Sequence, residues 1–277
     1  MMMSRTFITT GMNNMYRFGF IGMGNMGSAM LHGCLSVFSA DMLAFSRKDP
    51  EKGAALSDVT GVCCLDNRSC VENSKYVILA VKPQFYDSVL EEIKPAVSGD
   101  KIVISLAPSY KIADLKGILG DSVRIVRAMP NTPAKVGEGM TGISWSDDEF
   151  TETEKEELNQ FFTSFGRVET VPENLLDAVT AASGSSPAFI YMMIEALADG
   201  VVRYGMPRAQ AYTFVAQAVL GSAKMVLETG EHPGVLKDAV CSPGGTTIAA
   251  VAELEASGFR SSLIEAASAV CERCRNM

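Results

Sequence analysis

The chain has 277 residues, 47% of them hydrophobic and 20% charged, with a net charge of −8 at pH 7. This is ample core-forming material for one large domain or, better, two. The acidic balance excludes a general nucleic-acid surface, which needs clustered Lys and Arg, and no apolar run reaches the roughly 18 residues of a membrane span.

In chain order, the leader "MMMSRTFITTGMNN" lacks the continuous apolar core of a secretory signal. Residues 1–14 are expected to be a disordered extension, with an organelle-targeting leader as the alternative because no acidic residue occurs there. From residue 15 onward, short runs alternate with helical stretches: "RFGFI", "MLAFS", "YVILAV", "KIVISL" and "VRIVRAM". Each run is apolar on successive residues and bounded by polar or Gly/Pro signals, as in strands buried on both faces. Amphipathic segments at 84–93 and 112–119 lie between them. The alternation predicts an α/β fold, a Rossmann-like doubly wound parallel sheet over residues 15–171.

The first run leads into "GFIGMGNMG", which supplies Gly22-x-Gly24-x-x-Gly27 between a predicted strand and a predicted helix. Such glycines permit a tight turn, close approach of a pyrophosphate, and close helix–strand packing, in that order. The helix start then offers N–H groups and its positive dipole end to phosphate. At the end of the second strand "FSRKDP" places Ser46, Arg47 and Lys48 where NAD-binding chains usually carry a carboxylate. A hydroxyl followed by two cations suits a 2′-phosphate, so NADPH is the favoured cofactor and NADH the alternative. Asp49 is the contrary candidate. Lys82-Pro83 and "AMPNTPA" fall at the ligand-binding edge of later strands, where prolines stiffen the backbone.

Beyond Trp145, "TETEKEELNQFFTSFG" opens with a capping box, Thr151 to Glu154, and is expected to close at Gly166. "RVETV" reads as a last edge strand. The boundary is expected near Pro172, with residues 172–277 all helical and interrupted at 183–187, 205–207, 230–234 and in "CSPGGTT". Small residues crowd these helices ("AQAVLGSAKMVL", "TIAAVAEL"), which suits close packing within the chain or against a second subunit. Seven cysteines, an odd number scattered through apolar segments, point to a reduced cytoplasmic protein. "CERC" near the end has metal or redox spacing but no second pair or histidine beside it, and reads as two cysteines on a helix.

The chemistry that is missing is informative. Only two histidines occur: His32 inside the first helix and His232 in a "GEHPG" loop. No metal-ligand spacing and no nucleophile elbow appear. That scarcity favours reduction of a C=N bond that arrives protonated, which needs hydride and orientation but no strong general acid.

"FIGMGNMGSAM", "AVKPQ", "RAMPNTP", "DAVTAASGSSPAFIYMMIEALADG" and "DAVCSPGGTTIAAVAELEASGFR", in this order and spacing, closely resemble the pyrroline-5-carboxylate reductase family. The resemblance implies reduction of 1-pyrroline-5-carboxylate to L-proline by NAD(P)H, and a helical domain that interlocks with its copy in a homodimer, with a decamer as a further assembly. It implies cofactor contacts at Gly22, Met23, Gly24, Asn25, Met26, Gly27, Ser46, Arg47, Asn67, Ala80, Val81, Lys82, Pro83, Leu106, Ala107 and Pro108. Substrate contacts are implied at Glu173, Ser242, Gly245, Thr246 and Thr247, with Thr247 beside the ring nitrogen as the catalytic residue. The chain departs from the family pattern at "SLAPSY", where Pro108 removes an N–H and Ser109 stands in place of a glycine. The plain alternative for "SPGGTT" is a helix break with Thr246 as N-cap. A hydroxyacid or 6-phosphogluconate-type dehydrogenase would need a lysine on the first interdomain helix, and residues 174–200 contain none. A non-catalytic NADP(H) sensor would have no use for the second turn.

Overall fold

The computed structural model describes residues 16–276, so the expectations for the leader lie outside it. Eight strands form one sheet in the order β3-β2-β1-β4-β5-β6-β7-β8. They are β1 (Tyr16–Ile21), β2 (Leu43–Ser46), β3 (Cys63–Leu65), β4 (Ser74–Leu79), β5 (Ile102–Ser105), β6 (Arg124–Met129), β7 (Gly139–Trp145) and β8 (Gly166–Thr170). Every pairing is parallel except β6 with β7. The helices of this half are α1 (Asn25–Cys34), α2 (Pro50–Thr60), α3 (Asn67–Glu72), α4 (Tyr86–Ile93), α5 (Ile112–Leu119), α6 (Glu152–Thr163) and the short α7 (Leu176–Val179). Strand order reverses between β1 and β4, which creates the crevice where open sheets of this kind bind ligands.

Successive residues of β4 explain why its sequence is continuously apolar. Tyr76 and Ile78 join one core with Phe18, Phe20, Phe161 and Phe162, while Val77 and Leu79 join another with Tyr86, Leu90 and Leu115. Both faces are covered, so alternation disappears. Each fully buried aromatic or aliphatic side chain contributes about 1.5–3 kcal/mol.

Two strands escaped the sequence reading. β3 is three residues long and half-buried, too short to carry a pattern. β7, "GMTGISW", contains two glycines that suggest a loop, yet the packing explains both. A Cβ on Gly139 would lie 2.6 Å from the Phe165 carbonyl oxygen, and one on Gly142 would lie 2.6 Å from Val179 Cγ1. These glycines are sites of close approach within a strand. Gly166 does not close α6. That helix ends at Thr163, and Gly166 opens β8 pressed against Gly139.

By compactness the chain divides into a unit ending at Val179 and a second, Thr180–Met277. The first unit extends past Pro172 because Leu176 is buried and Val179 packs over Gly142. The second holds α8 (Ser186–Val202), α9 (Arg208–Thr229), α10 (Pro233–Ala239), α11 (Thr246–Ala256) and α12 (Phe259–Arg275). Residues 180–185 continue as a π-helical turn, so the first expected interruption is a change of helix type. Among the described residues of this unit, only Ala181, Ala198 and Ala211 are buried. Tyr191, Met192, Phe214, Leu220 and Ile264 are all more than half exposed. No described helix is long and apolar enough to cross a membrane.

The capping box of α6 does more than start a helix. Glu154 Oε2 accepts from the Thr151 N–H at 3.0 Å and from Arg124 Nη1 at 2.7 Å, and the residue is 6% exposed. Burial alone pushes this carboxyl up. The Thr151 N–H, the Arg124 guanidinium and Lys75 outweigh that and hold it below its usual value. Its contribution to stability is therefore complete above the unfolded pKa of about 4.3 and is lost as pH falls through the lower folded value. Glu154→Gln should cost about 1.5–3 kcal/mol at pH 7 and flatten the acid limb of stability against pH, measured by urea unfolding at a series of pH values.

Candidate active site

At the end of β1 the chain turns through Gly22, whose φ of +92° a side chain would strain. A Cβ there would lie 2.6 Å from Val81 Cγ1. Gly27 is equally confined, because its Cβ would meet the Gly22 carbonyl oxygen at 2.6 Å and Ala80 Cβ at 3.2 Å. Gly24 differs: a Cβ on it would meet no protein atom within 4 Å. It is the N-cap of α1, and no side chain caps that helix. The turn is thus packed from below and open above, with first-turn N–H groups unclaimed by any cap, which is the arrangement a pyrophosphate requires. Met23 is buried under the turn, while Asn25 is exposed and Met26 half-buried at its rim.

Ser46 ends β2 beside this turn, and its carbonyl accepts from the Gly22 N–H at 3.2 Å. Its hydroxyl donates to Asn67 Oδ1 at 2.6 Å, and Asn67 Nδ2 donates to Glu92 Oε2 at 2.9 Å. Arg47 and Lys48 follow directly. Asp49, the contrary candidate for a ribose, has another task. It is the N-cap of α2, accepting from the Lys52 N–H at 3.1 Å and pairing with Lys52 Nζ at 3.1 Å. Those Lys52 contacts hold its carboxyl below the usual range.

Ala80 and Val81 leave β4 against Gly22 and Gly27, with the Ala80 N–H on the Ile21 carbonyl at 2.9 Å. Lys82 and Pro83 are exposed at the same edge. Ala107 is buried after β5, and the Pro108 carbonyl accepts from Arg127 Nη2 at 2.8 Å. Glu173 also belongs to this unit: its Oε1 accepts from Arg127 Nη1 at 2.8 Å and from the Ile112 N–H at 2.7 Å. Arg127 is the residue that sequence reasoning missed. The available signal was a guanidinium inside an apolar strand buried on both faces, which demands a partner. It is 5% exposed, and its Nε has no partner among the described residues.

The second predicted turn lies in the other unit. Pro243 and Gly244 occupy its corners, Gly244 has φ +69°, and the Gly245 N–H donates to the Ser242 carbonyl at 3.0 Å. This is a type II turn. Gly245, not Thr246, is the N-cap of α11, and it has no side chain to cap with. Thr246 and Thr247 are therefore the first two helical residues, both exposed. Both histidines hold structural positions: His32 Nδ1 bonds the Ser28 carbonyl at 2.6 Å, and His232 Nδ1 caps α10 by accepting from the Gly234 N–H at 3.0 Å.

A doubly wound sheet with an open glycine turn at its switch point, followed by a helical unit, defines a nicotinamide-dinucleotide oxidoreductase of Rossmann type. Residues 17–109 match the family described as NADP oxidoreductase coenzyme F420-dependent, and residues 173–277 match pyrroline-5-carboxylate reductase dimerisation. The chain is 45% identical over 265 residues to the pyrroline-5-carboxylate reductase of Escherichia coli, covering 94% of this chain and 98% of that one. Its structure is similar to the Plasmodium falciparum pyrroline carboxylate reductase with NADP bound, with a TM-score of 0.85, 32% identity, and coverage of 96% and 99%. It is also similar to the Coxiella burnetii pyrroline-5-carboxylate reductase, with a TM-score of 0.87, 33% identity, and coverage of 94% and 98%. The chain belongs to the pyrroline-5-carboxylate reductase family.

The two glycines separate binding from folding. Gly24→Ala should cost under about 1 kcal/mol of stability yet weaken NADP(H) binding by roughly tenfold or more. Gly27→Ala should cost about 1–3 kcal/mol, because the Gly22 carbonyl must move. Thermal unfolding with and without cofactor, together with a fluorescence titration of NADPH, reads both effects.

Proposed function

We infer that this protein reduces the C=N bond of 1-pyrroline-5-carboxylate to give L-proline, with NADPH favoured over NADH. The observation that carries the reading is the uncapped start of α11 behind the Ser242–Gly245 turn. It lies in the motif through which the chain most resembles its family, and it suits an anion that is not the cofactor's phosphate. Residues 15–171 serve the dinucleotide, and residues 172–277 serve the substrate and the second subunit.

The cofactor set is Gly22 to Gly27, Ser46, Arg47, Asn67, Ala80 to Pro83, Ala107 and Pro108. When bound, the reduced nicotinamide supplies the hydride. The α1 N–H groups hold the pyrophosphate, and Arg47 with Ser46 and Asn67 holds the 2′-phosphate. The engagement of Asp49 with Lys52 supports that choice, since it removes the carboxylate a ribose 2′-hydroxyl would want. Ser242, Gly245 and Thr246 hold the substrate carboxylate at the start of α11, where dipole and N–H groups favour negative charge by about 0.3–2 kcal/mol. Thr247 donates or accepts at the ring nitrogen and keeps its proton in place. Glu173 contributes from its place on Arg127. No strong acid is required if the imine arrives protonated, in keeping with the structural positions of both histidines.

The partner is a second copy of the chain. A helical unit that buries only three alanines among its described residues has no core of its own, and an apolar surface of that extent calls for burial in an oligomer. A decamer built from such dimers is the larger assembly, and the cytoplasm the compartment.

Turnover of pyrroline-5-carboxylate with NADPH, set against 3-hydroxyisobutyrate or 6-phosphogluconate with NADP⁺, tests the activity. Oxidation of a hydroxyacid without reduction of the imine would overturn it. Thr247→Ala should lower kcat by about 10²-fold or more, the scale of a positioned proton-holding group, while leaving NADPH affinity within about twofold. Arg47→Ala should reduce the preference for NADPH over NADH by roughly tenfold or more, on the scale of a lost charge-assisted bond. An unchanged ratio of the two kcat/KM values would remove Arg47 from that role.

A further inference from the structure

Tyr86 is 1% exposed and stands at the start of α4, and the reaction described above makes no use of it. Its hydroxyl donates to the carbonyl of Leu79, the last residue of β4, at 2.7 Å. It accepts from the Leu106 N–H at 3.1 Å and from Ser105 Oγ at 3.3 Å. A phenol has one proton and two acceptor sites, and all three are occupied. Ser105 Oγ in turn accepts from the Ala107 N–H at 3.4 Å. Burial pushes the Tyr86 hydroxyl up to about 12, so it remains a donor throughout the working range.

The consequence is mechanical. The Ala80 N–H ties β4 to the Ile21 carbonyl at the end of β1, and Tyr86 ties the end of β4 to the end of β5. Three strand ends are thereby joined in series along the proposed cofactor edge. The far end of the loop is held by the same helix turn. Tyr110 stacks on the Tyr86 ring with centroids 5.0 Å apart, and its hydroxyl donates to Asp87 Oδ1 at 2.5 Å. Leu106 and Ala107 commit their N–H groups to Tyr86 and Ser105, Pro108 has none, and the Pro108 carbonyl is held by Arg127. A loop without glycine keeps its shape through side chains.

We propose that Tyr86 is a positioning residue for the nicotinamide cofactor, its hydroxyl fixing the loop of residues 106–110 against the end of β4. This rests on the reading that the cofactor lies along these strand ends. Tyr86→Phe deletes the three hydrogen bonds and keeps the ring on Tyr110. NADPH affinity, measured by fluorescence titration, should weaken roughly tenfold, the scale of hydrogen bonds lost from a buried group. KM for NADPH should rise in parallel, with KM for pyrroline-5-carboxylate at saturating NADPH within about twofold of wild type. Phe162→Leu, in the core on the opposite face of the sheet, serves as the stability control. It should lower the melting temperature without changing NADPH affinity. If Tyr86→Phe lowers the melting temperature but leaves NADPH affinity and KM at wild-type values, the proposal is wrong and Tyr86 is structural only. If both variants weaken NADPH equally, the effect is one of general stability and the proposal is again wrong. Wild-type protein that binds NADPH but fails to reduce the imine would overturn the functional reading alone, and the affinity comparison would still decide the role of Tyr86.

Discussion

Everything at the strand ends depends on one close approach, that of β1, α1 and β4 around Gly22. The carbonyl of Gly22 lies under Gly27, the backbone of Ala80 and the side chain of Val81 lie against Gly22, and the Ala80 N–H bonds Ile21. No side chain fits at either glycine. Because the first helix is seated directly on two adjacent strands, its N-terminus opens at the point where strand order reverses. The crevice and the dipole then coincide, and a dinucleotide phosphate is the chemistry that such a coincidence suits. Gly24, with free space above it, is the complement of its two confined neighbours.

Much of this was legible beforehand. Strands β1, β2, β4, β5 and β6 are continuous apolar runs because both faces of the sheet are covered, and the turn glycines announce themselves by spacing. What could not be read depends on contacts between distant segments. β7 hides behind glycines whose reason lies in Phe165 and Val179. Arg127 meets Glu173 and Pro108, and Tyr86 meets Ser105 and Leu106, across loops that no local period describes. Asp49 was ambiguous by position alone. The following Pro50 was a usable signal, since a capping residue followed by proline starts a helix and uses the carboxylate in doing so.

The second unit teaches the reverse lesson. Its alanine-rich helices allowed two readings, close packing within the chain or against another copy. Among the described residues of this unit large apolar side chains such as Phe214 and Ile264 are exposed while only alanines are covered, and the proposed burial against another copy rests on that pattern. The turn before α11 sharpens in the same way. With Gly245 rather than Thr246 as the N-cap, neither threonine hydroxyl is committed to starting the helix.

Charge supplies the last constraint. The protein is net acidic, yet the dinucleotide and the imino acid are both anions, and an uncompensated carboxylate about 6 Å from either would oppose binding by about 3 kcal/mol at an effective dielectric constant of about 20. Four carboxylates of this edge are engaged locally. Asp49 pairs with Lys52 rather than with Arg47 or Lys48. Glu92 accepts from Asn67, Asp87 accepts from Tyr110, and Glu173 is held by Arg127 and an N–H. The buried Arg127 guanidinium offsets the charge of Glu173, which is therefore not a free carboxylate. The same engagement leaves the charges of Arg47 and Lys48 without an ion pair to Asp49, so an acidic chain keeps two cations at this edge by committing a neighbouring acid elsewhere.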